Sequence, residues 1–410
     1  MSSCWRLKRF PPIIQMQMLE TLHLTNCREL QQFPDIQSNM DSLVTLDLSD
    51  SGIEIIPPSV GRFCTNLVSL NLSCCFELKR IEGNFHLLKS LKDLNLSGCH
   101  VGLQYFYLDR SVSLKLPQFP RFLRKLDLSW CNLGDGDIPS DIFCELLNLQ
   151  ILDLSHNYFS RLPSGLSQIP CLKCLNLTSC TNLLELPDLP SSIAILNAKG
   201  CDSLEIVRDL SYCKWLWKVS LWWGTNKRVL HSMLEENAVK DRFMSVFSPN
   251  VQPSSIYTKL VTLQLPHNWY SDFSGFLLSL RAREYNYEMH VIVIKQEMST
   301  DHPEEFEEQR VQYDYERVGY VPFSSLRHIP WFNYTYTKNI SFQITEKYGG
   351  YTKKVGLNLE LVHSKSKIGD LNEDPIDYSE CWDEEYKDRK TFDIVYDSKS
   401  SEIQISWEHL

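Results

Sequence analysis

Apolar and polar residues along the first half of the chain follow one repeating frame, leucine at positions one, four and six with a small residue, mostly cysteine, at nine. The frame begins at Leu19, Leu43, Leu67, Leu91, Leu123, Leu149, Leu172 and Ile193, so the steps are 24, 24, 24, 32, 26, 23 and 21 residues. Weaker copies flank it. Leu216, Val219 and Leu221 form a ninth, while Cys4, Leu7, Phe10 and Pro11 match Cys27, Leu30, Phe33 and Pro34 position for position. The alternation Leu43-x-x-Leu46-x-Leu48 predicts a short strand, because successive strand side chains point to opposite faces. Later apolar positions such as Ile53 and Ile56 close the same unit, and Pro57 ends it because proline cannot donate to a further ladder.

That period is the leucine-rich-repeat period, and one such unit cannot bury its apolar edge alone whereas stacked units can. The pattern therefore predicts an α/β solenoid, a horseshoe with parallel β on its concave face. At the ninth position, where the chain turns inward, stand Cys27, Ser51, Cys75, Cys99, Cys131, Asn157, Cys180 and Cys201. A small polar side chain there satisfies buried backbone groups. Six of the fourteen cysteines, seven with Cys4, are expected to form a reduced, buried and inert ladder. Cys171 and Cys174 make a lone C-x-x-C, with no second Cys or His pair at metal-ligand spacing.

After Gly224 the frame stops. Val229, Leu230, Met233, Leu234 and Val239 recur at helical spacing, predicting a connecting helix over 226–244. Trp215, Trp217, Trp222 and Trp223 are expected to cap the open end of the solenoid core. Short alternating strands follow at Val261/Leu263/Leu265, Phe276/Leu278/Leu280, Val291 to Ile294, Ile340/Phe342/Ile344, Val355/Leu357/Leu359/Leu361 and Ile403/Ile405/Trp407. With polar loops between them and no long helices, they predict an all-β antiparallel sandwich of jelly-roll or Ig-like type. Acidic runs at Asp301 to Glu308 and Asp370 to Asp388 read as solvated loops. The expected organisation is a solenoid over 1–224, a helical connector over 225–255, a sandwich over 256–365, an acidic linker over 366–390 and strands of open attachment over 391–410.

Composition removes several functions. The chain is 43% hydrophobic and 22% charged over 410 residues, with a net charge of −10. Disorder is not expected, and a nucleic-acid surface, which needs clustered Lys and Arg, is not either. No signal peptide and no run of roughly 18 apolar residues is seen, so a cytoplasmic or nuclear location without a membrane partner is expected. The sequons at Asn71, Asn95, Asn176, Asn333 and Asn339 then carry no glycans.

The strand face supplies the candidate site. Its outward residues between the last two leucines are His23, Asp47, Asn71, Asn95, Asp127, Asp153, Asn176 and Asn197, followed two residues later by Thr25, Ser49, Ser73, Ser97, Ser129, Ser155, Thr178 and Lys199. Asp93 and Lys125 lie at the preceding outward position, Trp130 lies beyond, and Trp331 and Phe332 complete the protein-binding candidates. Eight strands at about 4.8 Å spacing give a face of roughly 35–40 Å, protein-sized, and an open sheet does not offer the closed pocket a small-molecule substrate needs. Most such Asn, Asp, Ser and Thr side chains are simply what a soluble repeat exposes. Aromatic and long charged positions are the better candidates, since they dominate binding hot spots. Asp127 and Asp153 as catalytic carboxylates have only proximity to recommend them. His267, His290, His328 and His363 are scattered singly, and no catalytic residue or cofactor is expected.

Leu184-Glu-Leu-Pro-Asp-Leu-Pro-Ser-Ser-Ile193, Leu196-Asn-Ala198 and Cys201-Asp-Ser-Leu-Glu205 resemble the last repeat of plant Toll/interleukin-receptor-type nucleotide-binding leucine-rich-repeat (TIR-NB-LRR) disease resistance receptors. Leu265-Pro-His-Asn-Trp-Tyr270 with Phe273, Gly275 and Phe276, then Val321-Pro-Phe-Ser-Ser-Leu326, Asn339-Ile-Ser-Phe342 and Val355-Gly-Leu357 through Val362, resemble the jelly-roll/Ig-like domain after those repeats. The likeness covers most of residues 4 to 365. It implies a module that binds a pathogen effector protein through the concave face and sandwich loops, with the nucleotide-binding half of a receptor as a further partner. The family's NAD-cleaving and nucleotide-binding domains are not matched, and without a Gly-Lys dipeptide no phosphate loop exists. Starting mid-repeat at Cys4, the chain is expected to be a fragment, a truncated gene model or a short paralogue. Phe247-Ser-Pro-Asn250 and Val251-Gln-Pro-Ser254 replace the family's Ile-Pro-x-Trp-Phe loop, and Ile329-Pro-Trp-Phe332 is not its equivalent. For Trp269 and Tyr270 core packing is expected. A generic scaffold or ubiquitin-ligase substrate adaptor is the alternative, and an F-box-like helix upstream would favour it.

Overall fold

The computed structural model describes residues 4–10, 17–82, 85–99, 119–138, 142–208, 210, 212–213, 216, 218–221, 244–248, 260–265, 269–282, 290–297, 315–326, 329, 338–346, 355–363, 392–400 and 402–407. The chain divides into two compact units, Met1–Arg208 and Asp209–Leu410.

In the first unit every frame opens with a strand. These are β1 (Thr21–His23), β2 (Thr45–Asp47), β4 (Ser69–Asn71), β6 (Asp93–Asn95), β7 (Lys125–Asp127), β8 (Ile151–Asp153), β9 (Cys174–Asn176) and β11 (Ile195–Ala198). They pair in chain order, all parallel and in register, so that Leu22, Leu46, Leu70, Leu94, Leu126, Leu152, Leu175 and Leu196 form one row. From Leu46 onward each is at most 1% exposed, worth about 2 kcal/mol apiece in apolar burial. Among the described residues the return path holds the two-residue parallel pairs β3 (Ile55–Ile56) with β5 (Arg80–Ile81) and β10 (Glu185–Leu186) with β12 (Ile206–Val207), a six-residue helix α1 (Pro58–Phe63) and three 3₁₀ turns. A unit of about 24 residues, once strand and turns are subtracted, has no room for a longer helix.

Each strand stops after three or four residues for a local reason. The residue before the ninth position adopts a left-handed backbone in all eight repeats, at Asn26, Asp50, Cys74, Gly98, Trp130, His156, Ser179 and Gly200. Its N–H still reaches the next repeat, as Asp50 N does to Ser73 O (2.8 Å) and Trp130 N to Ser155 O (3.0 Å). The ladder residue then turns inward. Cys75, Cys99, Cys131, Cys180 and Cys201 each donate their thiol to a leucine carbonyl of the preceding repeat at 3.0–3.3 Å. Burial pushes their pKa upward, to about 11 for Cys180 and about 12 for Cys201, so they stay protonated donors. Asn157 takes the same role with a larger reach, donating to Leu128 O and Leu154 O and accepting from Cys131 N and Leu133 N. One expected ladder member departs: Cys4 is exposed.

Among the described residues the second unit contains two antiparallel sheets. In chain order its strands are β13 (Lys218–Leu221), at the ninth frame, β14 (Met244–Ser248), β15 (Leu260–Leu265), β16 (Phe273–Ala282), β17 (His290–Glu297), β18 (Tyr315–Pro322), β19 (Lys338–Glu346), β20 (Val355–His363), β21 (Phe392–Asp397) and β22 (Glu402–Trp407). One sheet runs β14-β18-β16-β20 and the other β15-β19-β17-β22-β21. Their facing alternate residues share one core, including Leu265, Phe276, Leu278, Ile292, Ile294, Val321, Ile340, Phe342, Leu357 and Ile403. That is the sandwich its period-two pattern predicted. Trp269, on the short helix α2 (Trp269–Asp272), is fully buried edge-on to Phe323, which bears out its core role.

Two expectations change here. Met244–Ser248, inside the stretch expected as helical connector, is a strand paired with β18, its alternation Met244, Val246 outweighing the helical spacing upstream. The C-terminal strands, left without an attachment, add β22 and then β21 to the edge of β17. Residues 226–243, the tryptophans at 215, 217, 222 and 223, and both acidic runs lie outside the described residues.

Candidate functional site

The strand face puts the predicted residues in rows, with Asn95, Asp127, Asp153 and Asn176 side by side in register. Their first duty is local. The side-chain Oδ1 of Asp47, Asn71, Asn95, Asp127, Asp153, Asn176 and Asn197 accepts the backbone N–H two residues on, at 2.8–3.2 Å. This Asx turn ties down the strand end just ahead of the left-handed residue. His23, where the first repeat departs from Asx, sits instead 3.7 Å from Asp47. Most of the row is thus fold machinery, a role the outward-pointing pattern alone did not reveal.

Asparagine and aspartate do this job equally well, so the negative charge at Asp47, Asp127 and Asp153 exceeds what the turn requires. At Asp127 and Asp153 the adjacent serine hydroxyl also donates to Oδ1, at 2.7 and 2.6 Å. Asp153 Oδ2 accepts from Asn176 Nδ2 at 2.7 Å, whereas Asp127 Oδ2 has no donor among the described residues. Desolvation, followed by the charge of neighbouring Asp153, raises the Asp127 pKa against the opposing effects of the Ser129 hydrogen bonds and Lys125. Asp93 and Lys125 pair in register on β6 and β7, which places a cation near Asp127.

Trp130 is the largest exposed side chain of the face, 46% accessible. It occupies a left-handed position at φ 58°, as does His156 one repeat later at φ 57°. Their rings stack with centroids 3.8 Å apart and planes 13° from parallel. Left-handed backbone costs a bulky residue about 1–2 kcal/mol, and the other repeats mostly place Asn, Asp, Gly or Ser there. The stack covers one face of the indole and leaves the rest open. Desolvation lowers the His156 pKa although the charge of Asp153 opposes it, so at neutral pH the imidazole is uncharged. His156 was absent from the sequence-derived set. The signal was present: read as a column, the position before the ladder residue shows two aromatic rings among small residues, on consecutive repeats.

Trp331 and Phe332 lie outside the described residues. Cys174 is buried on β9 and Cys171 exposed, and among the described residues no three His, Cys, Asp or Glu side chains gather as a metal site. No helix among the described residues is long and apolar enough to cross a membrane.

A family model described as disease resistance protein RPS4B-like, leucine-rich repeats, matches residues 15–219, half of the chain. TMV resistance protein N of Nicotiana glutinosa is 28% identical over 67% of this chain and 30% of its own length. Disease resistance protein RPS4B of Arabidopsis thaliana is 33% identical over 47% of this chain and 15% of its own. The chain thus spans less than a third of the length of these relatives. Among solved structures, the functional domain of InlJ from Listeria monocytogenes aligns at 15% identity and a TM-score of 0.36, covering 62% of this chain and 55% of that one. A score that low adds nothing to the assignment.

Proposed function

Because the chain belongs to the RPS4B-like disease resistance protein family of leucine-rich repeats, we propose that it is the recognition part of an intracellular plant immune receptor, binding a pathogen effector protein through the strand face of its solenoid. The observation that carries the proposal is the surplus on that face. Aspartate stands where asparagine would serve, and Trp130 and His156 stand where the backbone favours glycine or asparagine. Features a fold does not need, held at some cost, point to selection for contact with something else. The matched region is the repeats, so binding rather than catalysis is the activity assigned. In this proposal sandwich loops extend the contact, the cytoplasm or nucleus is the site of action, and the nucleotide-binding half of a receptor is the partner whose activation effector contact regulates.

The test is a two-hybrid screen of the full chain against a pathogen effector library, followed by variants. Trp130→Ala, Asp127→Ala, Asp153→Ala and Lys125→Ala should each weaken a true effector, with Arg28→Ala and Lys79→Ala, in ion pairs with Asp50 and Glu54, as controls. Effectors that bind all strand-face variants as well as the parent overturn the proposal.

A further inference from the structure

Asp127, Asp153, Trp130 and His156 come from two consecutive repeats, with Asp127 and Asp153 paired in register and the two rings stacked. We propose that the open face of Trp130 and the carboxylates of Asp127 and Asp153 form an anchor for an arginine side chain presented by a protein partner. This rests on the recognition role above and names the chemistry it would use.

A planar, weakly hydrated guanidinium is the cation best suited to lie over an indole face, and its fork of donors matches a carboxylate edge. The surroundings have the right sign. Asp127 and Asp153 lie side by side in register, with Asp93 paired to Lys125 on the neighbouring strands, in a chain whose net charge is −10. The uncharged His156 backs the ring without repelling a cation on its other side. The desolvated Asp127 beside Asp153 is an electrostatic cost in the unbound protein that an incoming cation would offset. A nucleotide could also stack on the indole, but its phosphates would meet the carboxylates, so a protein partner is the occupant the charges favour.

The experiment uses the whole chain with ¹⁵N-labelled tryptophan. The Trp130 indole N–H resonance, assigned by its loss in Trp130→Phe, is followed while blocked Gly-Arg-Gly, Gly-Lys-Gly and Gly-Glu-Gly peptides and AMP are added. The arginine peptide should shift that resonance with an affinity about five-fold or more above the lysine peptide, and the glutamate peptide and AMP should not shift it. Asp127→Asn, which keeps the Asx turn as Asn71 and Asn95 do, should weaken the arginine response about five-fold. Trp130→Asn, with the residue that Asn26 already carries at this left-handed position, is the folded control. In it no remaining indole resonance should move with the arginine peptide. Equal response to arginine and lysine, indifference to Asp127→Asn, or a response to AMP overturns the anchor. If strand-face variants abolish effector binding while Trp130 ignores arginine, the anchor fails and the recognition role stands. If Trp130 titrates with arginine while effector binding ignores those variants, the anchor stands and the recognition role fails.

Discussion

Asn157 holds together more backbone than any cysteine of the ladder. Its amide donates to two leucine carbonyls and accepts two N–H groups across the gap between repeats, so Asn157→Ala is expected to cost about 3 kcal/mol or more, each buried group left unpaired costing about 1–3 kcal/mol. Asn157→Cys should lose less, because the thiol recovers one carbonyl as it does in neighbouring repeats. Denaturant midpoints of the two variants check the order. Asp127 runs the other way. Its folded pKa is raised, so the fold is favoured by the protonated acid, and stability is lost as pH rises from the ordinary carboxylate range through that raised value. Asp127→Asn should therefore raise the thermal midpoint at pH 7, and the gain should vanish in acid. A midpoint that falls at pH 7 would contradict the desolvation account. Asp135 is the counterexample: desolvation raises its pKa, but donors from Ser160 and Arg161 outweigh it and the result is lowered. Its contribution is present at neutral pH and is lost as pH falls through that lowered value.

At the scale of one repeat, two glycines show what the turn tolerates. A Cβ on Gly52 would lie 2.1 Å from the Arg28 carbonyl oxygen, a clash with backbone that no rotamer relieves. Gly98 has φ +70° but ordinary room, 3.4 Å to Cys74 Sγ. Gly52→Ala should thus destabilise by about 2–3 kcal/mol, the upper part of the usual range for overpacking, and Gly98→Ala by about 1 kcal/mol from backbone strain; urea titrations that ranked them in reverse would refute this. Neither difference was legible in the frame, since both glycines look alike between a leucine strand and the next apolar run. The strands themselves were legible almost residue by residue, because a one-residue slip would turn every leucine outward. The frame also set the ladder position, and the thiols there behave as small hydrogen-bonding hydrophobes.

For the molecule as a whole, thiol chemistry separates the two classes of cysteine. Iodoacetamide applied to the native protein, read by mass spectrometry, should label Cys171 and Cys4 readily and Cys74 more slowly, its thiol being raised by desolvation and by Asp50. Cys75, Cys99, Cys131, Cys180 and Cys201 should remain unlabelled until denaturant is added; labelling of these in the native protein would mean that the repeats do not stack as described. The family resemblance drawn from Leu184 to Glu205 agrees with the match over residues 15–219. Periodicity alone determined the solenoid, its parallel strand rows and the antiparallel nature of the second half, because burial of a fixed apolar spacing leaves few alternatives. Tertiary structure alone decided which polar residues are spoken for. The turn after each strand committed Asn71, Asn95, Asn176 and Asn197 to their own backbone, whereas stacking brought Asp127 beside Asp153 and Trp130 onto His156, because those contacts depend on distances between repeats that no single frame contains.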